Sequence, residues 1–206
     1  EEPKILQWLS PLEPRLRHQD VRTRRLEGVG NGFLQIEEFF NWRDGKDGDD
    51  GVVLFCSGAP GAGKTYLSSL VIDMLYDQAV GNSFAAACLY CDFLTHNDLI
   101  PENMLSAVVK KTVRALGSIP GEIDDAFQKA KREVSGRGSM RPEILGFLKI
   151  ALAPLERVYI CTDAMDECLP KHLPELLRSL HALSQQFQGI RLFITSRLHV
   201  LSDIKR

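Results

Sequence analysis

Gly58-Ala59-Pro60-Gly61-Ala62-Gly63-Lys64-Thr65 decides the fold. The spacing is GxxxxGK[ST], a glycine-rich loop whose backbone N–H groups can surround phosphate oxygens. Its flanks agree with it. Val52-Val53-Leu54-Phe55-Cys56 precedes it, an unbroken apolar run of the kind that a strand buried on both faces needs. Leu67, Leu70, Val71, Met74 and Leu75 follow at helical spacing. The order is therefore strand, glycine turn, helix. Glycines let the backbone turn inward around an anion with no Cβ in the way. The helix that starts near Lys64 aims its positive dipole end at the same place. On this reading Gly58 through Tyr66 holds a nucleotide. Lys64 reaches the β- and γ-phosphates, and the Thr65 hydroxyl ligates Mg²⁺.

Beyond the loop, strand and helix patterns alternate. Ala86–Cys91, Val158–Thr162 and Arg191–Thr195 read as strands. Helices are expected from Pro101, around Ile123–Ala130, from Pro142, and from Leu173 to Phe187. Such alternation implies a parallel sheet covered on both faces. The expected fold is α/β, a three-layer P-loop domain with an additional strand between the phosphate-loop strand and the third strand.

In an open parallel sheet, ligands bind beyond the carboxyl ends of the strands. Asp163 directly follows the third strand, so it can face the loop and hold Mg²⁺ through water. Asp166 and Glu167 follow after Ala164 and Met165. Acids crowded at one place repel unless they serve a cation, and either can orient and deprotonate an attacking water. They can also be a helix start, where acids are favoured anyway. The fourth strand ends in Thr195-Ser196-Arg197, where the arginine can bond a γ-phosphate and sense its loss.

Taken together, Gly58–Thr65, Val158–Cys168 and Leu192–Arg197 resemble the NACHT branch of the STAND NTPases. More closely they resemble the nephrocystin-type nucleotide-binding domain of fungal NOD-like receptors. Those families place a small residue after the metal-binding aspartate and then further acids, as Ala164, Asp166 and Glu167 do here. Arg25–Leu34 is similar to their segment before the loop, departing at Val29 and Gly32. The resemblance implies an ATP/ADP switch that self-associates when active, with a helical and winged-helix lid after residue 206. It also implies the sheet order second, third, fourth, first, with a fifth strand outside the first. No convincing fifth strand precedes Arg206, so the first strand is expected near an open apolar edge.

Residues 1–43 read as an arm and 44–206 as the P-loop domain. The arm carries Arg15, Arg17, Arg22, Arg24 and Arg25 with no interleaved aromatic residues, which points to a solvated linker and not to a nucleic-acid surface. The 206 residues, 44% apolar, suit one domain. A formal charge of −2 gives no general pull toward nucleic acid or anionic lipid. No apolar run approaches the ~20 residues that span a membrane, and the first residues lack a signal peptide's regions. A cytoplasmic fragment of a longer protein is expected. Five cysteines, an odd count, read as reduced thiols in a core. An offset of three puts Cys88 and Cys91 on opposite faces of a strand, which disfavours a joint redox or zinc role. Asp44–Gly51 fails the register of a calcium loop and reads as a turn. An acceptor pocket for a kinase has no motif, nor does guanine recognition. Competing readings are a scaffold that holds nucleotide without turnover and a GTP switch.

Overall fold

The structure is a computed structural model that describes residues 1–45, 52–92, 98–132 and 141–200. Its strands are β1 (Val53–Ser57), β2 (Phe84–Tyr90), β3 (Arg157–Asp163) and β4 (Ile190–Ser196). The helices are α1 (Glu2–Leu9), α2 (Pro14–Arg24), α3 (Glu37–Asp44), α4 (Lys64–Ala79), α5 (Pro101–Ala115), α6 (Gly121–Arg132), α7 (Arg141–Leu152) and α8 (Leu173–Gln186). Short 3₁₀ turns occupy Asn31–Gln35, Met165–Glu167 and Leu198–Val200.

The strands form one parallel sheet in the order β1-β4-β3-β2. This is the expected order, with β4 inserted between the phosphate-loop strand and β3. Alternate strand residues sort to opposite faces, as a period of two demands. Ala85, Ala87, Leu89, Ile160 and Ile194 pack under α1, α5, α6, α7 and α8. Ala86, Cys88, Tyr159, Cys161 and Phe193 pack under α2, α3 and α4. Cys88 and Cys91 accordingly lie in different cores. The layers are helix, sheet, helix.

The basic stretch expected as a solvated linker is instead helical. Pro3 and Pro14 stand in the first turns of α1 and α2, where a missing N–H costs nothing. Ile5, Leu6 and Leu9 of α1 are buried, and Trp8 packs on Phe127 and Phe147. Lys110 of α5 is buried and donates to the carbonyls of Ser10 and Leu12 and to Glu13. On α2, His18 and Val21 are buried while Arg15, Arg17, Arg22 and Arg24 face solvent. Arg25 is drawn in by α4: it bonds Ser69 Oγ at 2.9 Å and Asp73 Oδ2 at 2.7 Å.

The other end of the sheet is tied to α3. Arg157 bonds the carbonyls of Arg43 and Gly45, and Arg191 those of Trp42 and Gly45. These cations sit where the helix C-terminus presents unpaired carbonyls and negative potential. Gly45 must be glycine, because a Cβ there would lie 2.2 Å from the Asn41 carbonyl oxygen.

Among the described residues β1 pairs only with β4, and Val53 is 37% exposed. Leu198–Val200, after β4, form a 3₁₀ turn and add no fifth strand among the described residues. Most of the stretch read as a turn at Asp44–Gly51 lies outside the described residues, as do residues 133–140 and the segment after Val200. No helix among the described residues is long and apolar enough to cross a membrane.

Candidate nucleotide site

Three strand ends converge on one cleft of about 300 Å³. After β1, Pro60 to Tyr66 form one wall. Ala164, Asp166 and Glu167, after β3, and Arg197, after β4, form the other. In-register parallel pairing is what brings them together: Cys56 pairs with Thr195, and Thr162 with Ile194. A larger groove of about 530 Å³ between α7 and α8 has no glycine loop, so size alone does not select the site.

Gly61 and Gly63 hold φ of 78° and 85°, values that residues with a Cβ rarely adopt. Gly63 is the residue before α4, so the left-handed turn aims the first N–H groups of that helix into the cleft. Lys64 Nζ donates to the carbonyls of Gly58 at 2.7 Å and Ala59 at 3.0 Å. Its ammonium thus closes the loop on itself, and a phosphate would exchange with those carbonyls. Thr65 and Tyr66 complete this wall, Tyr66 being 43% exposed.

Asp163 is buried and is not among the residues lining the cleft. Its Oδ1 accepts from Ser68 Oγ at 2.7 Å and from Thr195 Oγ1 at 2.6 Å. Thr195 Oγ1 also accepts the Ala164 N–H at 3.1 Å. That second bond fixes Ala164 at φ 52°, the one left-handed non-glycine residue among those described. A left-handed residue reverses the chain sharply, so the turn Met165–Glu167 folds back over the strand ends. Alanine carries the Cβ that this conformation disfavours, so the hydrogen bond to Thr195 holds it there against that cost.

Asp166 and Glu167 fall in this 3₁₀ turn and not at a long helix start. Their surroundings differ. The Asp166 carboxylate accepts from Ser196 Oγ at 3.1 Å and from the Arg197 N–H at 3.0 Å through Oδ1. Its Oδ2 lies 3.0 Å from Arg197 Nε. The acid is thereby spent on holding the end of β4, while the Arg197 side chain stays 54% exposed in the cleft wall. Glu167 lines the cleft.

Ser68, Thr195 and Ser196 were not assigned roles from the sequence. Hydroxyls carry no spacing signature. The usable signal was position: Ser68 lies one turn beyond Thr65, and Thr195 and Ser196 close the strand beside Asp163.

Behind the loop helix lies a second polar group. Neutral His18 donates from Nε2 to Asp73 Oδ1 (3.0 Å) and accepts at Nδ1 from Tyr90 OH (2.8 Å), the tautomer its partners require. Burial pushes its pKa below 6.5, against the pull of Asp73. Burial likewise lifts the Cys56 thiol to about 11, so none of the loop-strand chemistry rests on a thiolate there.

The fold is similar to that of Cdc6p from Pyrobaculum aerophilum, with a TM-score of 0.51 at 18% identity. The alignment covers 86% of this chain and 41% of that one, so the chain spans less than half of that protein's length. At this identity the likeness is one of fold. No curated protein matches the sequence. The family described as "Nephrocystin 3, N-terminal" matches residues 28–197, a span that takes in the glycine loop, the acidic turn and Arg197. The chain belongs to the nephrocystin 3 N-terminal family.

Proposed function

We propose that the domain binds ATP with Mg²⁺ in the cleft and hydrolyses it slowly, as the switch of a NOD-like receptor-type protein. The carrying observation is the convergence of a glycine loop, an acidic turn and an arginine from three adjacent strand ends on one cleft. Each answers a different part of a nucleoside triphosphate. The loop N–H groups and Lys64 take the phosphate oxygens. Arg197 takes the γ-phosphate, which ADP lacks. Glu167 orients and deprotonates the attacking water. Asp166 holds Arg197 in place and stands second as a base.

The donor set fits Mg²⁺. Thr65 hydroxyl and Asp163 carboxylate are hard oxygen donors, Asp163 acting through water. Among the described residues no three His, Cys, Asp or Glu side chains cluster to hold a metal alone. Mg²⁺ usually keeps several waters and shares its shell with phosphate oxygens. When bound, it neutralises charge on the β- and γ-phosphates.

Slow turnover is expected because water is poorly excluded from a cleft that holds the γ-phosphate from one side only. Self-association of the full-length protein on activation and a cytoplasmic location belong to the same reading and rest on the family resemblance. Calorimetry tests the binding. Wild type is expected to bind Mg-ATP more tightly than Mg-GTP, and Lys64→Ala to bind neither while melting normally. Unchanged ATP affinity in folded Lys64→Ala overturns the proposal, as does turnover by the isolated chain at ordinary enzyme rates of ~10 s⁻¹.

A further inference from the structure

Two cysteines meet beside the acidic turn. Cys91 follows β2 and Cys168 closes the 3₁₀ turn of Asp166 and Glu167, and their Sγ atoms are 3.1 Å apart. Both are buried, at 5% and 4% exposure. A disulfide needs sulfurs about 2.05 Å apart, so the two sulfurs have roughly 1 Å to close. Their backbones are fixed around the same feature. The Cys91 N–H donates to the Asp163 carbonyl at 3.0 Å, and the Cys168 N–H to the Met165 carbonyl at 3.2 Å. Cys91 therefore sits against the start of the turn and Cys168 at its finish.

We propose that Cys91 and Cys168 form a reversible oxidation site whose disulfide clasps the acidic turn to the end of β2, with hydrogen peroxide as the oxidant. Cys168 reacts first, since it borders the turn that lines the cleft and is followed by exposed Pro170. The Cys91 Sγ, 3.1 Å from that of Cys168, is placed for the second, intramolecular step. The Cys168 sulfur attacks one peroxide oxygen, the O–O bond breaks, and the departing hydroxide takes the thiol proton as water. The product is a sulfenic acid. The Cys91 sulfur then attacks the Cys168 sulfur, the S–O bond breaks, and hydroxide leaves with the Cys91 proton as a second water. Two thiols and one peroxide give one disulfide and two waters, the protein losing two electrons. A dithiol reductant reverses it by thiol–disulfide exchange.

The site differs from the other thiols. Cys88 and Cys161 are register partners on β2 and β3, deep in the opposite core and away from the cleft. A bond between them would tie strands already paired. A bond between Cys91 and Cys168 restrains a turn held otherwise by a few hydrogen bonds.

The test uses the 206-residue chain without nucleotide, so it is independent of the ATPase reading. The reduced protein is treated with hydrogen peroxide, digested without reductant and mapped by mass. The expected product is a Cys91–Cys168 linked peptide, two hydrogens lighter than its parts, lost on dithiothreitol treatment. It is absent in Cys91→Ala and in Cys168→Ala, and persists in Cys88→Ala and Cys161→Ala. Amide exchange over residues 164–168 is expected to slow by roughly tenfold in the oxidised wild type, because local opening is then tethered. A link mapped to Cys88–Cys161, no intramolecular link at all, or a Cys91–Cys168 link with unchanged exchange in the turn overturns the proposal. The wild-type mapping decides even where an alanine variant fails to fold.

Discussion

Thr195→Val removes a hydroxyl that makes two close bonds and a longer contact with Ser68 Oγ (3.5 Å), while keeping the side-chain shape. The hydroxyl donates to the Asp163 carboxylate at 2.6 Å and accepts the Ala164 N–H at 3.1 Å. A hydrogen bond to a charged group contributes ~1.5–3 kcal/mol, and stranding a buried partner costs ~1–3 kcal/mol. Ser68 still donates to the same Asp163 oxygen, and the Ala164 N–H is only partly buried, so the lower half of that range applies. The expected loss is about 3 kcal/mol. In a domain of this size each kcal/mol moves Tm by about 2–4 °C, giving a fall of roughly 6–12 °C. Urea unfolding of wild type, Thr195→Val, Ser68→Ala and the double variant measures it. Because both hydroxyls share Oδ1, the cycle should show a coupling of at least ~0.5 kcal/mol. Thr195→Ser keeps the hydroxyl and is expected to retain most of the stability. A Thr195→Val protein within ~0.5 kcal/mol of wild type, the scatter of ordinary surface changes, would refute this account of the turn.

The clamp on Arg197 is expected to separate two acids by role: Asp166→Asn should weaken ATP binding relative to ADP, whereas Glu167→Gln should leave ATP bound and slow its cleavage by ~10²–10⁴-fold. Paired ADP and ATP titrations with single-turnover kinetics check this, and equal effects of the two variants would dismiss the division. Arg197→Ala should spare ADP affinity and lower that for ATP in the same titrations. His18 is neutral in the fold with a pKa below 6.5, so the unfolded chain takes up the proton first. Its contribution to stability is complete above pH 6.5 and is lost as pH falls from 6.5 through the folded value; urea midpoints across that window should lose this component in His18→Gln. Leu6→Ala empties a buried position on α1 and should cost ~2–5 kcal/mol by urea unfolding; a loss near zero would mean that α1 is not part of the folded body.

Much of the fold was legible because the strong signals are periodic or local. The loop motif with its two flanks located β1 and α4, and unbroken apolar runs located β2, β3 and β4. The family resemblance supplied their order. What escaped was contact between residues distant in sequence. Nothing in Asp166 announces that its partner is Arg197, thirty-one positions on. Cys91 was weighed against Cys88, its neighbour in the chain, when the thiol it meets is Cys168. The arm was misread for a different reason. Proline and arginine clusters suggest a linker, yet proline at a first turn favours a helix, and four of the five arginines face outward while Arg25 turns in to Asp73. Where Lys64 points is a rotamer choice, which a motif does not encode.

The family match starts at residue 28, but the folded body starts earlier. A boundary drawn by recurrence marks where a pattern is shared among relatives; one drawn by burial marks where the chain can be cut. Severing this chain between Glu27 and Gly28 would leave Lys110 as an ammonium without its carbonyl cage, and Asp73 without Arg25 and His18. It would also bare the apolar face that Ile5, Leu6 and Leu9 cover. A piece begun at residue 28 would keep every residue of the cleft and still be expected to aggregate. In this chain the span of the family match and the span of the packed core are different lengths of polypeptide.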